Sequence, residues 1–132
     1  MNDGEGRALL PVEYRLTGRP ASVGEAQQAL GRLLDGRFPS CSASARADTL
    51  LVVSQLIDAA QQHGIDVAGV TARVGDDLID LHVEYEPQTD VQVESALTDG
   101  WAWTNAASLA DKLSITQSSA EGLKVRLLVR LQ

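Results

Sequence analysis

Residues Thr49 to Gly64 read TLLVVSQLIDAAQQHG, the longest apolar segment of the chain. Leu50, Val53, Ile57 and Ala60 recur at three- and four-residue spacing, and Val52, Leu56 and Ala59 widen that stripe. Ser54, Gln55, Asp58, Gln61 and Gln62 interrupt it. A helix that is apolar around most of its circumference is buried against a sheet or other helices. The segment therefore predicts a central buried helix over Thr49 to His63. Asp48 is its expected N-cap and Gly64 its expected stop. His63 falls in the last turn, where the helix dipole favours a cation.

Upstream, Val12, Tyr14 and Leu16 alternate behind Pro11, which predicts a short edge strand over Val12 to Leu16. Ser22 and Glu25 form an S-x-x-E capping box. Val23, Ala26, Leu30, Leu33 and Leu34 then share one helical face, so a helix is expected from Val23 to Leu34. Gly36 to Ser44, rich in Ser and with Pro39, reads as a loop. Residues 1–10 are polar and Gly-rich at their start and are expected to be a disordered tail, leaving 11–132 as the folded domain.

Downstream, Val67 to Val74 and Leu78 to Tyr85 read as strands joined by a Gly75-Asp76-Asp77 hairpin turn. In the second, Ile79, Leu81, Val83 and Tyr85 alternate with Asp80, His82, Glu84 and Glu86, which predicts one packed face and one wet face. Pro87 to Asp99 is polar and turn-rich and is expected to be a loop. A third helix is expected from Ala102 to Lys112, then a short strand over Ser114 to Gln117 and a turn over Ser118 to Gly122. Leu123 to Leu131 alternates most cleanly of all, with Lys124, Arg126 and Arg130 as a basic row on its other face. That row suits a solvated sheet face or the docking of an acidic partner. The order β-α-α-β-β-α-β-β implies an α/β two-layer sandwich, a mixed, mostly antiparallel sheet with helices on one face.

At 132 residues and 14.1 kDa the chain has the size of one domain with a core of its own. Apolar residues make up 44% and charged residues 22%, an ordinary balance for a globular protein. A net charge of −7 argues against a nucleic-acid partner, which selects clustered Lys and Arg. No apolar run reaches the ~20 residues of a membrane span, so no membrane partner is expected. MNDGEGR has neither the basic nor the apolar region of a signal peptide, which makes the cytoplasm the expected compartment. Cys41 is the single cysteine and excludes an internal disulfide. His63 and His82 are too isolated for a zinc site, and no C-x-x-C, G-x-S-x-G, H-E-x-x-H or P-loop pattern occurs.

The central segment resembles the first nucleotide motif of the bacterial anti-sigma-factor serine kinases, which share the histidine-kinase-like ATPase fold. Members of that family read L-V-V-S-E-L-V-T-N-A-x-x-H-G along this helix. Leu51, Val52, Val53, Ser54, Leu56, Ala60, His63 and Gly64 match it. The family glutamate falls on Gln55 and its asparagine on Ala59. The resemblance implies that these two positions would polarise the attacking hydroxyl and hold Mg²⁺. Gln55 cannot accept a proton at ordinary pH, and Ala59 has no side-chain oxygen for a hard cation. Asp58 is one residue away, a turn of about 100°, so it is expected to be a surface carboxylate.

The other two family motifs are altered as well. The adenine-binding aspartate of V-x-V-x-D falls on Pro87, with Glu86 on the opposite face, and Gln88-Thr89-Asp90 replaces the glycines that follow. The G-x-G-L phosphate loop aligns with Gly100-Trp101-Ala102-Trp103, and Leu109-Ala110-Asp111 and Ile115 match the segment downstream. A phosphate loop needs unencumbered backbone N–H groups, which two tryptophans obstruct. Trp101 and Trp103 could fill the vacated pocket, pack as core or form a partner surface. At least one is expected to pack toward the central helix, with Trp103 preferred.

The degenerate nucleotide-pocket positions are thus Gln55, Asp58, Ala59, Glu86, Pro87, Gly100 and Ala102. The resemblance implies a regulatory pseudokinase that uses no cofactor and binds a sigma factor or an anti-sigma antagonist to regulate transcription. One alternative is a working serine/threonine protein kinase that binds ATP and Mg²⁺ through Asp58 and Glu86. Another is a non-enzymatic interaction module, with a homodimer as one form.

Overall fold

A computed structural model describes residues 12–87, 93–118 and 122–131. The chain runs β1 (Glu13–Arg15), α1 (Val23–Arg37), α2 (Ala43–Gln62), β2 (Val67–Val74), β3 (Leu78–Tyr85), α3 (Val93–Thr98), α4 (Trp101–Leu109), β4 (Lys112–Ser118) and β5 (Gly122–Arg130). The tail expected over residues 1–10 and the Gln88-Thr89-Asp90 replacement lie outside the described residues, as does the middle of the turn expected over Ser118 to Gly122.

The five strands form one sheet in the order β1-β2-β3-β5-β4. Every described pairing is antiparallel, which corrects the mixed sheet expected from the sequence. The β2–β3 hairpin closes where expected, with the Gly75 N–H donating to the Leu78 carbonyl at 2.9 Å. Ile79, Leu81, Val83 and Tyr85 on β3 and Leu123, Val125, Leu127 and Val129 on β5 are buried beneath the helices. The intervening side chains form the other, open face of the sheet. The result is a two-layer α/β architecture, with α2 at the centre of the helical layer.

α1 begins where the capping box places it, since the Ser22 hydroxyl accepts from the Glu25 N–H at 3.2 Å. α2 begins six residues earlier than its apolar stripe predicts. Ser42, not Asp48, is its N-cap, accepting from the Ala45 N–H at 3.0 Å. Alanines at 43, 45 and 47 are strong helix formers and carry the extra turns, so the Ser-rich stretch read as loop supplies a cap. Gly64 ends α2 with φ +72°, a conformation that costs a Cβ-bearing residue about 1–2 kcal/mol. Leu56 and Ile57 are fully buried on α2. The Tyr85 hydroxyl donates to the Leu56 carbonyl at 3.3 Å, tying β3 to the central helix. Burial pushes the Tyr85 phenol well above its ordinary range.

Two elements differ from expectation near the loop read over Pro87 to Asp99. α3 lies inside it and buries Leu97 in the core. α4 starts at Trp101 and stops at Leu109, not Lys112. The Asp111 N–H donates to the Leu128 carbonyl at 2.8 Å, and Lys112 pairs with Leu128, so sheet pairing captures the residues that the helical spacing claimed. Among the described residues no helix is long and apolar enough to cross a membrane.

Candidate functional site

The last turns of α2 and the start of α4 face each other across a cavity of about 410 Å³. α2 supplies Gln55, Asp58, Ala59, Gln62 and His63, and the chain entering α4 supplies Asp99, Gly100, Trp101 and Ala102. The helical repeat brings this about, because 55, 58, 59 and 62 lie at three- and four-residue spacing on one side of α2. The opposite side, with Val53, Leu56, Ile57 and Ala60, is held in the core. Gly100 is the N-cap of α4 and makes no side-chain capping bond, so the first N–H groups of α4 open beside the cavity.

The polar groups there are largely engaged with one another. The Gln55 Oε1 accepts from the Asn105 Nδ2 at 3.0 Å, which ties α2 to α4. The Asp58 Oδ2 accepts from the Gln62 Nε2 at 3.0 Å. The His63 Nδ1 donates to the Ala59 carbonyl at 3.0 Å. Among the described residues no Lys or Arg lines the cavity, while Asp58 and Asp99 both do. Asp58 is exposed, as expected of a surface carboxylate, and stands on the cavity wall.

Gln55, Asp58, Ala59, Gly100 and Ala102 are thus brought together. Glu86 and Pro87 are not. Strand β3 ends at Tyr85, so its alternation does not carry Pro87 inward, and Pro87 is exposed. The Glu86 N–H donates to the Asp66 carbonyl at 2.9 Å, and its carboxylate takes a bidentate contact from Arg19 at 2.8 and 2.9 Å. Asp58 and Glu86 therefore line different cavities and form no acid–base pair.

The tryptophans also separate. Trp103, the residue expected to pack toward the central helix, is half-buried against the core and is not among the residues that line this cavity. Trp101 is 81% exposed and stands on the cavity wall. Gln62 and Asp99 were not singled out by motif matching, and His63 matched the motif without being assigned a place in the site. Two local signals could have found them: Gln62 lies one helical turn beyond Asp58 and Ala59, and Asp99 directly precedes the aligned glycine.

Glu86 and Pro87 belong to a second cavity, about 690 Å³, on the open sheet face, with Arg19, His82, Glu84, Lys124 and Arg126 among its walls. Strand register decides its electrostatics. Glu84 lies opposite Lys124, and Asp80 lies opposite Leu128, diagonal by two residues to Arg126, which faces His82. The resulting ion pairs measure 3.4 Å for Lys124–Glu84 and 2.9 Å for each arm of the Arg126–Asp80 fork. Arg130 reaches Asp77 at 2.8 Å. The basic row on β5 is therefore neutralised by its own neighbours, which favours the solvated-face reading over an acidic partner. The bond to Asp80 raises the Arg126 pKa further above its usual value. The buried Nε2 of His82 lies 3.2 Å from the Asp80 carboxylate but makes no hydrogen bond with it.

A magnesium–triphosphate is a poor match for the α2–α4 cavity. Ala59 offers the cavity only a methyl group, the Gln55 amide is engaged by Asn105, and Asp58 and Asp99 on the walls would repel a polyphosphate. Among the described residues no group of three or more His, Cys, Asp and Glu could hold a metal ion. Comparison with models of known protein families and with curated proteins found no match to the chain.

Proposed function

We propose that this chain is a regulatory protein of the anti-sigma-factor kinase type, with a histidine-kinase-like ATPase fold, whose nucleotide pocket has lost its chemistry and which acts by binding another protein. One observation carries the reading. Four positions aligned with nucleotide-binding residues, Gln55, Ala59, Gly100 and Ala102, surround one cavity between α2 and α4 with Asp58 beside them, and their side chains supply neither a metal-binding asparagine nor a phosphate-binding cation. The two-layer architecture and the central helix are those the resemblance implies. The partner class, a sigma factor or an anti-sigma antagonist, rests on the resemblance alone, and so does the absence of a cofactor.

Trp101 makes the proposal directly testable, because a base or phosphate entering the cavity meets its exposed ring. Titration with millimolar ATP and Mg²⁺ is expected to leave the tryptophan emission unchanged, and labelled ATP is expected to transfer no phosphate to a sigma factor or its antagonist. Saturable quenching, or Mg²⁺-dependent phosphorylation, would show a working nucleotide site. Affinity capture from a bacterial lysate should return a sigma factor or an antagonist, and a different identified partner class would remove that part of the proposal.

A further inference from the structure

From Ala47 to Asp111 the chain carries twelve Asp and Glu residues and a single Lys or Arg, Arg73. Arg73 lies on β2, where it pairs with Glu13 at 3.2 Å on the sheet side of the molecule. On the helical surface built from α2, α3 and α4 the one Lys or Arg among the described residues is Arg46, in the first turns of α2, and it is held by Asp35 of α1 at 2.8 Å. Along α2 the residues Asp48, Leu51, Gln55, Asp58 and Gln62 follow one another at three- and four-residue spacing. Asp48, Asp58 and Gln62 are exposed, and Leu51 is 49% exposed. The stripe runs into the cavity where Trp101 and Asp99 stand.

We infer that this surface docks a basic segment of a partner protein, with an arginine side chain of that segment entering the α2–α4 cavity. The inference rests on the reading of the cavity as a protein-binding remnant, and it assigns the chemistry of the group bound. Three features select a guanidinium. The indole face of Trp101 attracts a cation, and a planar guanidinium stacks on it better than a compact ammonium does. Asp58 and Asp99 supply two full negative charges on the same walls. Leu51, one turn before Gln55, offers apolar area for the stem of a long basic side chain or a flanking aliphatic residue.

One local feature opposes a cation, the uncapped N-terminus of α4. Its partial charge is about +0.5 of an elementary unit, against a formal −2 from Asp58 and Asp99. The carboxylates outweigh it, so a cationic group is favoured over a carboxylate or phosphate. Trp101 adds a second reason. An exposed indole at the mouth of a cavity is the kind of residue that dominates binding energy when a partner covers it.

The test is an amide-and-indole NMR titration of the full chain with capped Ala-Arg-Ala, Ala-Gln-Ala and Ala-Glu-Ala tripeptides, and separately with ATP and Mg²⁺. The arginine peptide should shift the Trp101 indole and the amides of Gln55, Asp58 and Asp99 in a saturable way, at least tenfold more tightly than the other two peptides. The double variant Asp58→Asn/Asp99→Asn should weaken that response tenfold or more, whereas Asp66→Asn/Asp76→Asn, which removes equal charge elsewhere, should leave it unchanged. Equal weakening by both variants, shifts spread over all acidic residues, or preference for the glutamate peptide would overturn the inference. An inert arginine peptide alongside inert ATP would remove this inference and leave the protein-binding reading standing. Shifts of the same cavity residues by ATP and Mg²⁺ would remove the reading beneath it.

Discussion

On the open sheet face, Asp80 grips Arg126, Glu84 faces Lys124 and Glu86 holds Arg19, each ion pair spanning between neighbouring chain segments. On the helical face, among the described residues, Asp58 is bonded only to Gln62, and Asp99 lines the same cavity, to whose walls no Lys or Arg contributes. Both regions border a cavity and both carry carboxylates, but one is electrostatically closed and the other open. Sheet register explains the first, because antiparallel neighbours on one face sit within reach of each other and opposite charges there stabilise the pairing. No fold requirement explains the second. Charge left uncompensated around an exposed indole is what a binding surface retains and what a self-contained surface removes.

That contrast depends on a rigid layer between the two faces, and Leu56 is part of it. It is fully buried, one residue from Gln55, and its carbonyl receives the Tyr85 hydroxyl. Leu56→Ala is expected to destabilise the chain by about 2–5 kcal/mol through lost burial and a residual cavity. Urea unfolding with an unchanged slope measures it. A loss under ~1 kcal/mol would mean that the layer tolerates collapse there and that α2 is not fixed as described.

A smaller effect sharpens the electrostatic half of the comparison. The Asp80 side chain is 13% exposed, and that of Arg126 is 49% exposed. Removing Arg126 strands a mostly buried carboxylate, whereas removing Asp80 leaves a guanidinium that reaches water. Arg126→Leu should therefore cost about 1–3 kcal/mol, more than Asp80→Asn, with the double variant costing less than the sum. Asp58→Asn should change stability by no more than ~0.5 kcal/mol, since that carboxylate is exposed. Additive costs for Asp80 and Arg126, or a large loss at Asp58, would erase the distinction between the closed and open faces.

The closed face was the more legible of the two in the sequence. Alternation in Leu78 to Tyr85 and Leu123 to Leu131 predicts both the strands and their wet faces, because a period of two admits one assignment once one side is apolar. It does not give register, so the basic row of Lys124, Arg126 and Arg130 reads as free charge until β3 lies beside it. The central helix was legible in its apolar stripe and its Gly64 stop, but not in its first six residues, which carry little hydrophobic signal and depend on the Ser42 cap. Gln55, Asp58 and Ala59 could be placed near Gly100 and Ala102 only through the resemblance, since the two segments are distant in sequence. Glu86 and Pro87 were misplaced because alternation was extended past the residue where the strand ends.

The smallest expected change in stability belongs to Trp101, and it discriminates most sharply between packing and binding. The two tryptophans are separated by one residue in α4, where about 200° of rotation places them on nearly opposite sides. Trp103 packs on the core, and its truncation removes buried apolar area at about 25 cal/mol per Å². Trp101 has its ring in solvent and little burial to lose. Trp101→Ala should therefore leave the unfolding midpoint within the range of ordinary surface substitutions, about ±0.5 kcal/mol, and should remove the red-shifted part of the emission. Trp103→Ala should lower the midpoint and remove the blue-shifted part. If Trp101→Ala destabilises the chain as much as Trp103→Ala does, the ring is a packing element, and the helical face loses the residue that most distinguishes it from the sheet.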